Sequence, residues 1–418
     1  MTGNARTRTA TTRTPATRTA TAGKPDYDVV VVGGGPSGAT AAHDLAVQGH
    51  RVMLLDKAGR IKPCGGAVPP RLLKDFDIPQ SLLVAHAKSA RIIAPSNRKV
   101  TMPVGDGYVG MVDRDIFDEW LRARAGEAGA TRVEGKCEDV EDGEDGLATI
   151  SFRAGRKADM KKVTARCVIG ADGARSRVAQ QCIPGGDRVK CVFAYHEVVK
   201  VPDQTTADYE PTRCDVYYQG HLSPDFYAWI FPHGETASIG LGSANKGFPL
   251  RDTTRRMREE TGLADWDTLR KEGAPIPMKP LKRWDNGRNV IVAGDAAGVV
   301  APSSGEGIYY AMTAGRMSAD AVGAFLATGD AKALKGARRA FMKAHGRVFW
   351  ILGIMQYFWY RNDKRRERFV KMCADPDVQR LTWDAYMNKE LVRREPKAHL
   401  RIFFKDLGHL FGLKPVNG

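Results

Sequence analysis

No two cysteines in this 418-residue chain stand at C-x-x-C spacing, and no Cys/His cluster has the spacing of a zinc site. The seven that occur (Cys64, Cys137, Cys167, Cys182, Cys191, Cys214 and Cys373) are odd in number and scattered, as suits a reducing compartment. The N-terminus has no apolar core, which excludes a secretory signal. The longest aromatic-aliphatic run, FWILGIMQYFWY at 349–360, is too short to span a bilayer. Acidic residues are the scarcer charge, 48 against 64 basic, leaving a net +16 that draws anionic partners. Nucleic acid is not among them, because no recognition module and no long interleaving of basic and aromatic residues occurs.

The length predicts two or three domains. Residues 1–24 are a Thr/Ala/Arg tail with no acidic residue, too polar to bury a core and expected to be disordered. An organelle transit peptide has a similar composition, so a plastid address stays open beside a solvated tail. From Tyr27 the text reads strand, glycine turn, helix, strand, and a nucleotide-binding domain is assigned to 25–189, with short substrate-side strands near 88–112. Extended segments over 190–284 form a second, sheet-based domain, and 285–330 returns to the first. Residues 331–418 read as helical, basic and aromatic. The class is α/β (α+β): a Rossmann-type domain, a smaller antiparallel-sheet substrate domain and a C-terminal helical region.

Gly33, Gly35 and Gly38 make G-x-G-x-x-G directly after an apolar strand and at the start of a helix. Glycine is needed for the turn, for backbone approach to a pyrophosphate and for helix-on-strand packing, and the helix N-terminus then stabilises the phosphate charge. Asp56, ending the second strand, stands where an acid takes a ribose hydroxyl, although dinucleotide folds often place Glu there. Two further segments, VIGADGARSRVA at 168–179 and NVIVAGDAAG at 289–298, resemble fingerprints of flavoprotein hydroxylases of the para-hydroxybenzoate hydroxylase type. That resemblance implies FAD, with Asp172 and Asp295 at the cofactor and Arg114 opening a helix beside it. Taken singly, these residues also read as turn glycines, capping aspartates and a surface arginine.

The resemblance narrows with KPCGGA, PDFYAWIFP and GDAAGVVAPSSGEGIYYA, which are similar to the geranylgeranyl reductase family, closest to its bacteriochlorophyll and chlorophyll branch. Motif and resemblance together imply a cofactor set of Gly33, Gly35, Ser37, Gly38, Asp56, Lys57, Gly65, Gly66, Arg114, Asp172, Gly294, Asp295, Gly305, Gly307 and Ile308. The family signature P-x-x-Y-x-W-x-F-P is filled by Pro224, Tyr227, Trp229, Phe231 and Pro232, implying a strand that lines an isoprenoid tunnel, with proline closing the strand edge. Alternation puts Tyr227, Trp229 and Phe231 on one face and Phe226, Ala228 and Ile230 on the other. An ordinary buried sheet would show the same pattern.

The activity implied is reduction of isolated alkenes of a geranylgeranyl group, with NADPH reducing the flavin, a poised acid supplying a proton and Cys64 as the candidate catalytic residue; a small loop residue packed on the flavin ring reads the same way. No second G-x-G-x-x-G marks a nicotinamide site; Arg175 and Arg177 read equally as its phosphate contacts or as members of salt bridges, and a ferredoxin donor stays open. The prenyl group could be carried by a chlorin, a diphosphate or a lipid. An aromatic hydroxylase and a flavin-free prenyl carrier, like the Rab escort proteins, are the competing classes. In the C-terminal region, Arg347, Arg361, Lys364, Arg365, Arg366 and Arg368 flank the aromatic run, and Phe403, Leu407, Leu410 and Phe411 share one helix face. This suits a cytoplasmic protein held peripherally on an anionic membrane. A helical cap or an oligomer interface would use the same residues.

Overall fold

The computed structural model describes residues 24–57, 62–143, 145–155, 158–204 and 207–389. The N-terminal tail, but for Lys24, and the stripe from Phe403 to Phe411 lie outside the described residues.

Two seven-stranded sheets dominate. In the first, Tyr27–Val32 lies between Val52–Asp56 and Lys161–Gly170, parallel to both, and Thr131–Glu134 continues the parallel order beyond Val52–Asp56. Ala148–Arg153 and Lys136–Asp142 extend the other side antiparallel, while Val290–Val292 runs parallel to the far end of Lys161–Gly170. Four successive valines, Val29 to Val32, are all buried, as a central parallel strand covered on both faces requires. Helices Pro36–Val47 and Ile308–Thr328 pack on each other, and Arg114–Glu127 packs on the first of them. The chain thus returns to this sheet with Val290–Val292 after building the second.

The second sheet runs Thr268–Pro277, Cys191–Lys200, Thr236–Ser243, Ala228–His233, Arg213–Tyr217, Ser89–Ile93 and Lys99–Pro103. All pairs are antiparallel except Arg213–Tyr217 with Ser89–Ile93. The short strands read near 88–112 therefore divide. Two join this sheet, and Val109–Val112 joins a three-stranded sheet with Ala67–Val68 and Leu83–Ala87. The strand Ala228–His233 is interior, so the proline expected to close an edge does not: Pro232 pairs with Ala237 past the last partner on Arg213–Tyr217.

Helices Lys335–Trp359, Asp363–Met372 and Pro376–Asn388 follow. Trp359, Tyr360, Val370 and Cys373 share one apolar cluster with Trp229 of the second sheet and with Tyr218, Phe226 and Tyr227 at its strand ends. No described helix is long and apolar enough to cross a membrane.

Candidate active site

The first strand ends at Val32, and Gly33 follows with φ +104°. Any Cβ on Gly38 would stand 1.8 Å from the Gly33 carbonyl oxygen, so the turn closes only with glycine there. Gly35 caps the 12-residue helix Pro36–Val47 in an extended conformation, and a Cβ there would point into open space. Ser37, in the first turn, is buried, and its Oγ finds no partner among the described residues. An open cradle, a helix N-terminus and a free buried hydroxyl are what a pyrophosphate needs, so these residues fit a dinucleotide. Asp56 closes its strand beside the turn, with Arg122 Nη1 3.4 Å from its Oδ2 and 3.3 Å from the Gly34 carbonyl.

From this cradle opens a cavity of about 320 Å³ with mainly apolar walls. The cradle side contributes Gly35, Ser37, Ala171 and Gly173, and Asp295, Gly305, Gly307 and Ile308 form a second rim. Asp295 is ion-paired with Lys62. Gly307 caps the 21-residue helix Ile308–Thr328, and Gly294 presses against Ser37. The loop Cys64, Gly65 and Gly66 lines the same cavity. Gly66 donates its N–H to Cys64 Sγ at 3.4 Å. Arg114 is buried beside it and held bidentately by Asp118 at 2.8 and 2.7 Å. Burial opposes its charge, but Asp118, with the Cys64 sulfur as a lesser contributor, raises the guanidinium further above the ordinary arginine value.

Tyr227, Trp229 and Phe231 form the facing wall. Ala228 and Ile230 turn away into a separate core with Ile239 and Leu241, as alternation requires. Phe226 departs from the expectation. It precedes the strand, so strand alternation does not govern it, and its ring stacks on Tyr227 at 4.2 Å and lines the cavity too. Tyr227 donates its hydroxyl to the Ser304 carbonyl at 2.5 Å, which ties the aromatic wall to the loop ahead of Gly305. Trp229 donates Nε1–H to Ser238 Oγ at 3.1 Å.

Among the residues read from the sequence that stay off the lining are Lys57, Asp172, Pro224, Pro232, Arg175 and Arg177. Lys57 is exposed. Asp172 turns its carboxylate to the Ser176 hydroxyl and the Arg177 and Val178 N–H groups, leaving Ala171 and Gly173 to face the cavity. Burial holds the Asp172 carboxyl above its usual range. Pro224 gives its carbonyl to Arg366. Arg177 bonds the Glu138 carbonyl at 2.7 Å, and Arg175 lies over Phe193.

With the geometry in place, comparison with known proteins is decisive. The lycopene cyclase protein family matches residues 28–208, the nucleotide-binding part of the chain and the start of the second sheet. A geranylgeranyl diphosphate reductase of Rhodobacter capsulatus is 55% identical over 93% of this chain and 98% of its own length. The chain belongs to the geranylgeranyl reductase family. It is accordingly an oxidoreductase acting on prenyl double bonds. Two solved structures share the fold. One is a geranylgeranyl bacteriochlorophyll reductase-like protein of Thermoplasma acidophilum (24% identity, TM-score 0.76, 89% of this chain and 99% of that one). The other is the flavin-dependent brominase Bmp2 (15% identity, TM-score 0.69, 92% and 99%).

In this family member the sequence reading missed Glu306, Lys389, Trp383 and Tyr386. Glu306 lines the cavity between Gly305 and Gly307 and is ion-paired with Lys389, itself buried over the Tyr386 ring at 3.8 Å. Burial raises the Glu306 carboxyl and lowers the Lys389 amine, each favouring its neutral form. A lone acid in the small-residue run SSGEG was a signal for Glu306. Nothing local marked Lys389, which reaches the site only because helix Pro376–Asn388 folds back over it, bringing Trp383 and Tyr386 to the lining.

Proposed function

We propose that this reductase converts the geranylgeranyl group of bacteriochlorophyll or chlorophyll to phytyl, with FAD as resident cofactor and NADPH as electron source. The observation that carries the reading is one cavity walled by the Cys64 loop and nucleotide cradle on one side and the aromatic strand on the other. The cradle, Asp295 and the Gly305–Gly307 rim would hold FAD, which would supply hydride once reduced. The chain's own residues do the rest. Tyr227, Trp229 and Phe231 position an uncharged polyene by shape, since it offers nothing to hydrogen-bond. An isolated alkene has no carbonyl to take up charge, so a proton must reach the carbon that does not receive hydride. Cys64 holds that proton, and the Arg114 cation beside its sulfur compensates the negative charge left behind. Glu306 and Lys389, mutually paired, keep that end of the cavity free of an unbalanced charge.

Anaerobic turnover with NADPH and geranylgeranylated bacteriochlorophyll, read by product mass, tests this. Stepwise gain of hydrogen pairs establishes the substrate. Geranylgeranyl diphosphate is the second reading, favoured by the name of the Rhodobacter capsulatus relative; hydrogen gain there alone moves the substrate and keeps the chemistry. Flavin bleaching without product favours a hydroxylase, and a colourless, flavin-free protein favours a carrier.

Peripheral attachment to an anionic membrane belongs to the same proposal. Trp350, Ile354 and Tyr357 stand exposed by 68, 48 and 72% at i, i+4 and i+7 on helix Lys335–Trp359. Arg347 and Arg361 flank them, and the chain carries +16 overall. Co-sedimentation with phosphatidylglycerol vesicles but not with phosphatidylcholine vesicles is expected, and Trp350→Ser with Tyr357→Ser should abolish it.

A further inference from the structure

Beside the Cys64 loop lies a second and smaller chamber of about 20 Å³. That is room for one water molecule. It shares Lys62, Cys64 and Arg114 with the main cavity, but its other walls are largely polar: Asp113, His196, His233, Ser238, Arg270 and Glu272. Two hydrogen-bonded histidines face it. His233 places Nδ1 3.0 Å from Asp113 Oδ1 and Nε2 3.1 Å from the Gly65 carbonyl. Both partners are acceptors when Asp113 is ionised, so the ring makes both bonds only while it carries two N–H protons. His196 places Nε2 3.2 Å from Glu272 Oε2 and Nδ1 2.8 Å from Ser238 Oγ, the hydroxyl that also receives Trp229 Nε1–H. His196 is buried, whereas the Asp113 and Arg270 side chains are 31 and 35% exposed and open the chamber toward solvent.

Each alkene reduction uses one proton from the enzyme, and a cavity filled by a prenyl chain admits no water to replace it. We propose that the chamber is the proton entry route, and that His233 with Asp113 recharges Cys64 after every reduction. This rests on Cys64 being the donor. The Sγ–H bond breaks as a C–H bond forms at the alkene carbon that does not take hydride; both electrons of the reduction arrive with that hydride, from FAD reduced by a nicotinamide. The thiolate, facing Arg114, takes a proton through one water from His233, whose Nε2–H leaves the Gly65 carbonyl to give it, and His233 regains a proton from solvent past Asp113. Lys62, Arg114 and Arg270 hold the chamber's positive charge, and Asp113 and Glu272 its negative charge. His196, through Ser238, fixes Trp229 on the substrate side while Glu272 holds its other nitrogen. His233 is thus a positioning and relay residue, placed where the product of one step becomes the reactant of the next.

The experiment is an anaerobic oxidative half-reaction. Dithionite-reduced holoenzyme is mixed with whichever prenyl substrate the turnover assay identifies, and flavin reoxidation is timed in water and in deuterium oxide, over a range of pH. His233→Gln should keep its flavin, slow reoxidation by about a hundredfold, the low end of what a positioned acid–base group contributes, and enlarge the solvent isotope effect. Added imidazole should restore part of the rate. Asp113→Asn, which removes the carboxylate beside His233 Nδ1, serves if the first variant does not fold, and should slow reoxidation by about tenfold with the same rise in isotope effect. Wild-type rate and isotope effect in either folded variant, while Cys64→Ser is inactive, overturn the route and leave the donor standing. A Cys64→Ser enzyme as fast as wild type overturns both.

Discussion

The two seven-stranded sheets carry function in opposite ways. The centre of the first, largely parallel sheet, residues 29–32 and the neighbouring 52–55, is buried on both faces and contributes backbone. Its glycines and helix N-terminus form the cradle at the strand ends, and its side chains only pack. The antiparallel sheet contributes a face. Ala228 and Ile230 fill one core, while Trp229 and Phe231, one residue away, line the cavity. A backbone site demands particular residues at particular steps, because only glycine satisfies the contacts. A side-chain site demands only shape and apolarity, so its residues look like any other core until the opposite wall is known.

The sharpest break of the comparison is Gly38→Ala. A Cβ 1.8 Å from a backbone oxygen has nothing flexible to displace, so the variant should purify without flavin and without turnover, as absorbance at the flavin band would show. Next comes the buried pair that closes the cavity. Lys389→Met alone should lower stability by about 3–5 kcal/mol by leaving Glu306 uncompensated, whereas Lys389→Met with Glu306→Gln should recover most of the loss in denaturant titrations. If the double variant is no more stable than the single one, Lys389 does not compensate a buried Glu306 charge.

The two faces of the aromatic strand can then be separated directly. Ile230→Ala should cost about 2–5 kcal/mol of stability and leave KM for the prenyl substrate unchanged. Phe231→Ala, half-buried at the cavity, should raise KM about tenfold with a smaller loss of stability, which corresponds to about 1.4 kcal/mol of binding. Equal effects of both variants on KM would erase the distinction between the faces.

The smallest effect lies far from the site. Lys99, joined by Arg91, holds the Asp208 carboxyl at about 2. A depressed folded value contributes stability that is complete above the ordinary carboxylate value of 3.8 and is lost as pH falls toward about 2. Asp208 is 57% exposed, so solvent screening keeps the contribution within about 1 kcal/mol. Asp208→Asn should flatten the acid limb of the stability curve over that interval and little else.

Much of the nucleotide site was legible. Gly33, Gly35 and Gly38 stand in sequence where the backbone needs them, Ser37 lies in the same strand-turn-helix unit, and Asp56 ends the next strand. Asp172 was legible as a motif but not in its orientation, because whether a carboxylate caps its own turn or faces a ligand depends on the path of the next six residues. The aromatic signature was legible as a strand, yet Phe226 joined the cavity because the strand begins two residues later than the alternation assumed.

By itself, then, the sequence determined the elements whose reasons are local: the valine strand, the glycine turn, the basic helical end and the alternation of Ala228 to Phe231. Tertiary structure alone decided what faces what. Lys389 meets Glu306 across 83 positions, and His233 meets Asp113 across 120. Local propensity spans a few residues, whereas a site is assembled by chain returns whose register is set by the burial of whole sheets. The cradle could be read because backbone geometry is written locally, and the polar chamber could not because its walls come from separate strands and loops of the chain.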